Sequence, residues 1–93
     1  MALTHPLKNM NTKELQIKTL LYRSLHRGCK ETDILLGNFA LDKINQLDDA
    51  ELELYSKLVL EDDAFIYDWI LRKSEVPKEY QKLIKDIQEF HNL

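Results

Sequence analysis

The chain has 93 residues, of which 44% are hydrophobic and 31% are charged, and its net charge is −3. These values indicate one folded domain with a small core, and they exclude a two-domain enzyme and a disordered chain. Residues 1–30 hold six basic and one acidic side chain, whereas residues 31–70 hold eleven acidic and two basic ones. Because the acidic middle repels phosphate, we expect no nucleic-acid partner.

Turn-forming residues are scarce, since the chain contains two glycines and two prolines. A sheet protein of this size needs such residues every 8–12 positions, so the sequence predicts an all-α fold, a small five-helix bundle. The single cysteine, Cys29, excludes an internal disulfide and fits a reducing compartment such as a cytoplasm or a mitochondrial matrix. No apolar run approaches the ~20 residues of a membrane span, and no targeting segment is visible, so we expect no membrane insertion.

The first helix is predicted to follow a flexible tail. Residues 1–10 show no periodicity, which gives a tail at 1–10 and a single domain over residues 11–93. Asn11 is expected to cap the helix, with Glu14 in capping-box spacing. Gly28 is expected to end it in the left-handed conformation that glycine adopts without strain. The apolar residues of this helix are Leu15, Ile17, Leu20, Leu21 and Leu25.

Two further helices are predicted in the middle of the chain. One runs from about Lys30 to Leu47, and the next begins after Asp48, which stands three residues before Glu51 as in a capping box. The inner residues expected for the second helix are Ile34, Leu35, Phe39, Ala40, Leu41 and Ile44. Those expected for the third helix are Leu52, Tyr55, Leu58 and Val59.

The last two helices are predicted from an acidic pair and a proline. Asp62 and Asp63 can cap a short fourth helix, and Pro77 suits the first turn of a fifth. The inward residues expected for the fourth helix are Phe65, Ile66, Trp69 and Ile70. Those expected for the fifth are Leu83, Ile84, Ile87 and Phe90.

Motifs that carry chemistry are scarce. Two separated glycines cannot form a phosphate-binding loop, and the three histidines are scattered, which argues against zinc. Cys29, three residues after His26, could be a nucleophile, but the remainder of a catalytic set is missing. Aromatic residues at helical spacing could stack a flavin, although a place in the core explains them better; they are Tyr55, Phe65, Tyr67 and Trp69.

The stretch RSLHRGCKE, residues 23–31, indicates a recognition patch. We expect Arg23, Arg27 and Glu31 to converge on one corner of the molecule, where Gly28 lets the backbone of another protein approach. Arginine retains its proton and serves to bind and orient, so the patch suits binding better than catalysis.

The same region resembles a known family. LLYRSLHRGCKETDILLGNFA, residues 20–40, resembles the RGxxE signature region of the succinate dehydrogenase flavinylation factors, called SdhE in bacteria and succinate dehydrogenase assembly factors in mitochondria. LELYSKLVLEDDAFIYDWI, residues 52–70, resembles their second block, an acidic turn followed by a tryptophan-bearing helix. Members are small five-helix bundles. Cys29 departs from the family pattern, because a methionine commonly follows the glycine.

The resemblance implies a chaperone-like, non-enzymatic role. The protein would bind the flavoprotein subunit of succinate dehydrogenase, or of fumarate reductase in some bacteria, transiently and as a monomer. It would promote covalent attachment of FAD to that client without holding a cofactor stably or using a metal. The client-binding residues implied on this surface are Arg23, Arg27, Gly28, Cys29, Lys30 and Glu31.

Two alternatives remain open at this stage. One is a regulatory adaptor of the antitoxin type, which binds a toxin or a cytoskeletal target. The other is an enzyme that uses Cys29 or His26.

Overall fold

The computed structural model describes residues 12–93, and within this range the chain forms five α-helices and no strand. The helices are α1 (Thr12–Leu25), α2 (Lys30–Lys43), α3 (Asp49–Leu58), α4 (Asp63–Ile70) and α5 (Gln81–Phe90), with single 3₁₀ turns at Ile44–Gln46 and Lys78–Tyr80. The predicted all-α fold is therefore confirmed. The predicted tail at 1–10 and the cap at Asn11 lie outside the described residues.

One hydrophobic core joins the described helices. Its least exposed members include Leu36 of α2, Tyr55 of α3, Ile66 of α4 and Ile87 of α5, each 0% exposed. Each such side chain contributes roughly 1.5–3 kcal/mol through the apolar surface that it removes from water. The core draws on every helix because each one presents only a narrow apolar stripe.

The capping box of α3 is present as predicted. The Asp48 carboxylate accepts from the main-chain N–H of Glu51 at 2.8 Å, and the Glu51 carboxylate accepts from that of Asp48 at 2.9 Å. These reciprocal bonds satisfy two N–H groups that have no partner within the helix. All four apolar residues predicted for this helix, Leu52, Tyr55, Leu58 and Val59, are buried.

Helices α1 and α2 approach closely at Gly37. A β-carbon placed at this glycine would lie 2.6 Å from Cδ2 of Leu25. The missing side chain therefore lets Leu25 pack directly on the backbone of α2.

Three predicted inward side chains face solvent instead: Ile34 is 49% exposed, Leu41 59% and Phe65 53%. The buried face of α2 centres on Leu36, and Ile34 stands two residues, or about 200°, away from it around the helix. In α4, Phe65 precedes the buried Ile66 by one residue, a rotation of about 100°. Because apolar residues are clustered in these stretches of the sequence, the prediction makes the buried faces of α2 and α4 wider than they are.

Several predicted boundaries also shift. Helix α1 ends at Leu25, before Gly28, and α2 ends at Lys43, after which one 3₁₀ turn follows. Pro77 precedes the second 3₁₀ turn, so that α5 begins four residues later, at Gln81. None of the helices in residues 12–93 is both long enough and apolar enough to cross a bilayer.

Candidate functional site

The α1–α2 corner consists of the loop at residues 26–29 and the first two residues of α2, Lys30 and Glu31. Gly28 lies at its tip with φ +95°, so the predicted left-handed glycine is confirmed. It is exposed, and a β-carbon added to it would meet nothing within 4 Å. The corner is therefore open to an approaching molecule at this point, while its backbone conformation favours glycine.

Arg27 points into the protein. Its Nε donates to Oδ1 of Asp63 at 2.5 Å, and its two terminal nitrogens donate to the main-chain carbonyls of Val59 and Glu61, each at 2.7 Å. The side chain is only 8% exposed. The expectation that this guanidinium is a free donor at the surface is therefore wrong.

These three bonds fasten the corner to the α3–α4 turn, residues 59–62. Val59 and Glu61 belong to this turn, and Asp63 is the first residue of α4. The planar guanidinium has donors on several edges, so one side chain can satisfy two carbonyls and a carboxylate together. Asp62 occupies the N-cap position of α4 without a side-chain capping bond, and Asp63 pairs with Arg27, so the predicted capping role of this pair is not observed.

The main chain of the corner is also fixed. The N–H of Arg27 donates to Oδ1 of Asp33 at 2.6 Å, and the N–H of Asp33 donates to the carbonyl of Cys29 at 2.9 Å. Asp33 lies in the first turn of α2. Its carboxylate is thus favoured by the positive end of that helix while it holds the preceding loop.

A second polar bridge connects the end of α1 to α3. The hydroxyls of Ser24 and Tyr55 lie 2.6 Å apart, and Ser24 also donates to the carbonyl of Leu20 at 2.7 Å. Both residues are 0% exposed. Burial raises the pKa of Tyr55 to about 12, although the Ser24 hydrogen bond and the charge of Arg27 act in the opposite direction.

Glu31 is exposed in the first turn of α2, where the helix dipole favours a carboxylate. Its only described partner is the thiol of the half-buried Cys29, at a long 3.5 Å. Lys30 is exposed beside it. Gly28, Lys30 and Glu31 therefore present the accessible groups of the corner, and Cys29 presents part of its side chain.

Arg23 lies apart from this group. It is exposed in the last turn of α1 and lines an open groove of about 500 Å³ together with Gln16 of the same helix and Ser56 of α3. Gln16 donates to the Ser56 hydroxyl at 3.2 Å, which marks this groove as the side of α1 that faces α3. The structure therefore does not show the convergence of Arg23, Arg27 and Glu31 as exposed groups.

The remaining candidates are His26 and the aromatic residues. The ring of the exposed His26 contacts that of Tyr22, with centroids 4.3 Å apart and the two planes tilted by 33°. Tyr55 and Trp69 are buried, as the core interpretation of the aromatic residues predicts, but Tyr67 is only half-buried and Phe65 is exposed. Residues 12–93 hold no group of three or more His, Cys, Asp or Glu side chains that could bind a metal ion.

Sequence reasoning did not anticipate the residues that support the corner. The sequence pattern predicts a helix cap at Asp63 and indicates no role for Ser24. A signal for Ser24 exists, because it is a small polar residue on the inner stripe of α1, four positions after the buried Leu20. The carbonyls of Val59 and Glu61 carry no such signal, since every residue has one.

A family comparison covers the whole of this region. The model for the family described as "flavinator of succinate dehydrogenase", Sdh5, matches residues 18–91, which include the corner and the α3–α4 turn. The chain belongs to the Sdh5 flavinator family. The predicted family relationship is therefore confirmed, and the supporting contacts of Arg27 lie within the matched flavinator region.

Individual members of the flavinator family agree with this assignment. The chain is 40% identical over 74 residues to succinate dehydrogenase assembly factor 2, mitochondrial, of Dictyostelium discoideum, which covers 80% of this chain and 52% of the relative. It is 40% identical over 76 residues to the protein of that name in Saccharomyces cerevisiae, and the match covers 76% of this chain and 47% of the relative. It is also 40% identical over 81 residues to the Caenorhabditis briggsae protein of that name, and the match covers 75% of this chain and 64% of the relative. The chain thus spans about half the length of the curated relatives that it matches.

Proposed function

We propose that this protein is an assembly factor that binds the flavoprotein subunit of succinate dehydrogenase and promotes the covalent attachment of FAD to it. The observation that carries the proposal is the exposed corner of a flavinator-family bundle, in which Gly28 opens the surface and Glu31 presents a carboxylate. We propose the flavoprotein subunit of fumarate reductase as a second client. A regulatory adaptor of the antitoxin type finds no support in the comparisons.

The corner suits a docking role because it is held rigidly. Arg27 fixes it from within through Val59, Glu61 and Asp63, so that little conformational entropy is lost when a partner binds. We therefore assign Arg27 to positioning the surface. Direct contact is assigned to Gly28, Lys30 and Glu31, with Cys29 at the edge.

The chemistry can reside in the client. Covalent attachment would join a histidine nitrogen of the client to the 8α carbon of the flavin. A base takes a proton from this carbon, the histidine nitrogen adds to it and gives up its own proton, and the ring keeps the two electrons, so that the attached flavin is left in its reduced form. This step depends on alignment and on stabilisation of charge in the ring. A partner accelerates it by binding the aligned conformation of the client more tightly than other conformations. We propose that the protein acts in this way, as a non-enzyme that holds no cofactor of its own and binds its client transiently as a monomer.

The names of the same relatives suggest the cellular compartment. The proteins from Dictyostelium and yeast carry the word mitochondrial in their names. We propose the mitochondrial matrix as the compartment, with the bacterial cytoplasm as its equivalent for bacterial members.

In-gel flavin fluorescence of the client subunit tests the proposal directly. We expect the wild-type protein to raise the fraction of client with covalent flavin, and we expect Glu31→Lys to reduce this effect at least five-fold. Glu53→Lys is the matched control, because Glu53 is an exposed glutamate on α3 and belongs neither to the corner nor to the α3–α4 turn. Equal covalent flavin with and without the wild-type protein would refute the proposed function.

A further inference from the structure

Two large apolar side chains are exposed on α2, the helix that carries Glu31. Ile34 is 49% exposed and Leu41 is 59% exposed. Isolated exposed apolar residues are common, so exposure alone indicates nothing. The spacing of these two distinguishes them, because residues seven positions apart in a helix lie on the same side of it, about 10 Å apart along its axis.

The exposed side of α2 also carries Glu31. Four exposed residues form this side and are called the outer α2 stripe: Glu31, Ile34, Asn38 and Leu41. At about 100° per residue they fall within about 80° of the helix circumference, centred opposite the buried Leu36. Because Glu31 belongs both to the corner and to the stripe, the two surfaces are continuous. The stripe runs about 15 Å along α2, from Glu31 to Leu41.

The inner side of α2 is already covered by the bundle. Phe39 is 3% exposed and Ala40 is 0% exposed, and Leu25 of α1 packs on the backbone at Gly37. Apolar residues on opposite sides of a helix are typical of a helix that is covered on both sides. The bundle supplies one of these covers. It also fixes α2 in place, so little conformational entropy is lost when a partner supplies the other.

The corner by itself is too small for a specific complex. It has six residues, 26–31, whereas a specific interface takes roughly 20–30 residues and buries about 800 Å² on each partner. A client that contacts Gly28 and Glu31 therefore contacts neighbouring surface as well. The outer α2 stripe is neighbouring surface whose position is fixed by helical geometry, because one helix carries it directly away from Glu31.

The groups of the stripe indicate the chemistry of the partner. A helix that docks into a groove presents its anchoring side chains at intervals of i, i+4 and i+7. Ile34, Asn38 and Leu41 have these intervals. Glu31, one turn earlier, makes no ion pair within residues 12–93, and its described partner is the thiol of Cys29 at 3.5 Å. The complement of the stripe is an apolar groove with an arginine or lysine at the end that meets Glu31.

We propose that the flavoprotein subunit covers the outer α2 stripe, taking Ile34 and Leu41 into an apolar groove and pairing a basic side chain with Glu31. This inference rests on the proposed function and deepens it, because it assigns client contact to residues beyond the corner. It also gives a role to two apolar residues that periodicity predicts to be buried and that the bundle leaves exposed.

Titration calorimetry with the purified flavoprotein subunit tests this extension. We expect Ile34→Gln and Leu41→Gln each to weaken binding at least five-fold. Glutamine forms helices about as well as leucine, so α2 itself is preserved. Leu15→Gln is the matched control, expected within two-fold of wild type, because Leu15 is 41% exposed and lines the open groove between α1 and Ser56 of α3. Equal weakening by Leu15→Gln would contradict the assignment to α2.

Salt separates the two kinds of contact. The loss of binding caused by Glu31→Lys should shrink as the salt concentration rises, because salt screens an exposed ion pair. The losses caused by Ile34→Gln and Leu41→Gln should persist, because burial of apolar surface does not depend on charge. Losses at Ile34 and Leu41 that vanish at high salt would overturn the apolar groove. Circular dichroism melting identifies a variant that does not fold, and the other variant then decides.

The outcomes separate this inference from the function on which it rests. If Glu31→Lys weakens binding while Ile34→Gln and Leu41→Gln bind like Leu15→Gln, the extension is wrong and the proposed function stands. If sedimentation shows that the protein alone forms a dimer, and that the double variant at Ile34 and Leu41 does not, the stripe joins two copies and the extension is wrong as well. If the wild-type protein does not bind the flavoprotein subunit, the proposed function fails, and the extension fails with it.

Discussion

The Arg27 guanidinium and the Asp63 carboxylate, 36 positions apart in the chain, form a hydrogen-bonded ion pair at 2.5 Å. The pair joins the α1–α2 corner to the start of α4, with the arginine side chain 8% exposed and that of Asp63 25% exposed. Arg27 therefore stabilises the bundle, whereas the acidic Glu31 faces solvent.

Replacing Arg27 should destabilise the fold. Arg27→Ala leaves Asp63 and two carbonyls without their donor, and we expect a loss of about 3 kcal/mol in the free energy of unfolding. Arg27→Lys should recover only part of it, because one ammonium cannot match the fork of the guanidinium. Urea denaturation measures both. Arg23→Ala, at an exposed arginine, is the control and should stay within about 0.5 kcal/mol of wild type; an equal loss at both positions would contradict the assignment.

Substitutions at Gly28 should destabilise the protein through backbone strain and not through steric overlap of the new side chain. Its φ of +95° strains any other residue, although a β-carbon there meets no atom within 4 Å. We expect Gly28→Ala to lower the free energy of unfolding by about 1–2 kcal/mol. Gly28→Asn should lower it less, because asparagine tolerates this region better. Thermal melts compare the two, and an unchanged melting temperature for Gly28→Ala would show that the corner relaxes.

Removal of two buried hydroxyls, one at a time, should change the free energy of unfolding in opposite directions. Thr32 is 0% exposed, and its Oγ1 has no hydrogen-bond partner among the described residues, so Thr32→Val should raise the free energy of unfolding by about 1 kcal/mol. Ser24 is equally buried but bonds to Leu20 and Tyr55. Ser24→Ala should therefore lower the same quantity by about 1 kcal/mol. Chemical denaturation measures both, and destabilisation by Thr32→Val would mean that its hydroxyl has a partner, such as a bound water.

Stability should fall at high pH through Tyr55. Burial raises its pKa from 10.0 to about 12 in the folded protein. The stabilisation that results from this raised pKa is complete below pH 10 and is lost as the pH rises toward 12, because the unfolded chain releases the Tyr55 proton first. The loss amounts to roughly 2–3 kcal/mol at most.

Tyr55→Phe tests this origin of the alkaline loss. Between pH 9.5 and 12, the urea midpoint of the variant should fall less steeply than that of wild type. Tyr22→Phe is the control, because Tyr22 is 65% exposed. Parallel profiles for all three proteins would assign the loss to other groups.

The sequence predicted what depends on neighbours within a few positions. The Asp48–Glu51 capping box, the left-handed Gly28 and the buried stripe of α3 all follow from local backbone chemistry and helical periodicity. The two sequence blocks also identified the family, since residue types in order carry that information without coordinates.

Only the tertiary structure decided where the long and the bulky side chains point. Arg27 turns inward because two carbonyls and a carboxylate 32–36 positions away converge on it. Phe65 stays exposed because α4 buries only its Ile66, Trp69 and Ile70 face. Local patterns fix a helix and its caps, whereas the direction of a side chain depends on which distant groups the packed bundle places within its reach.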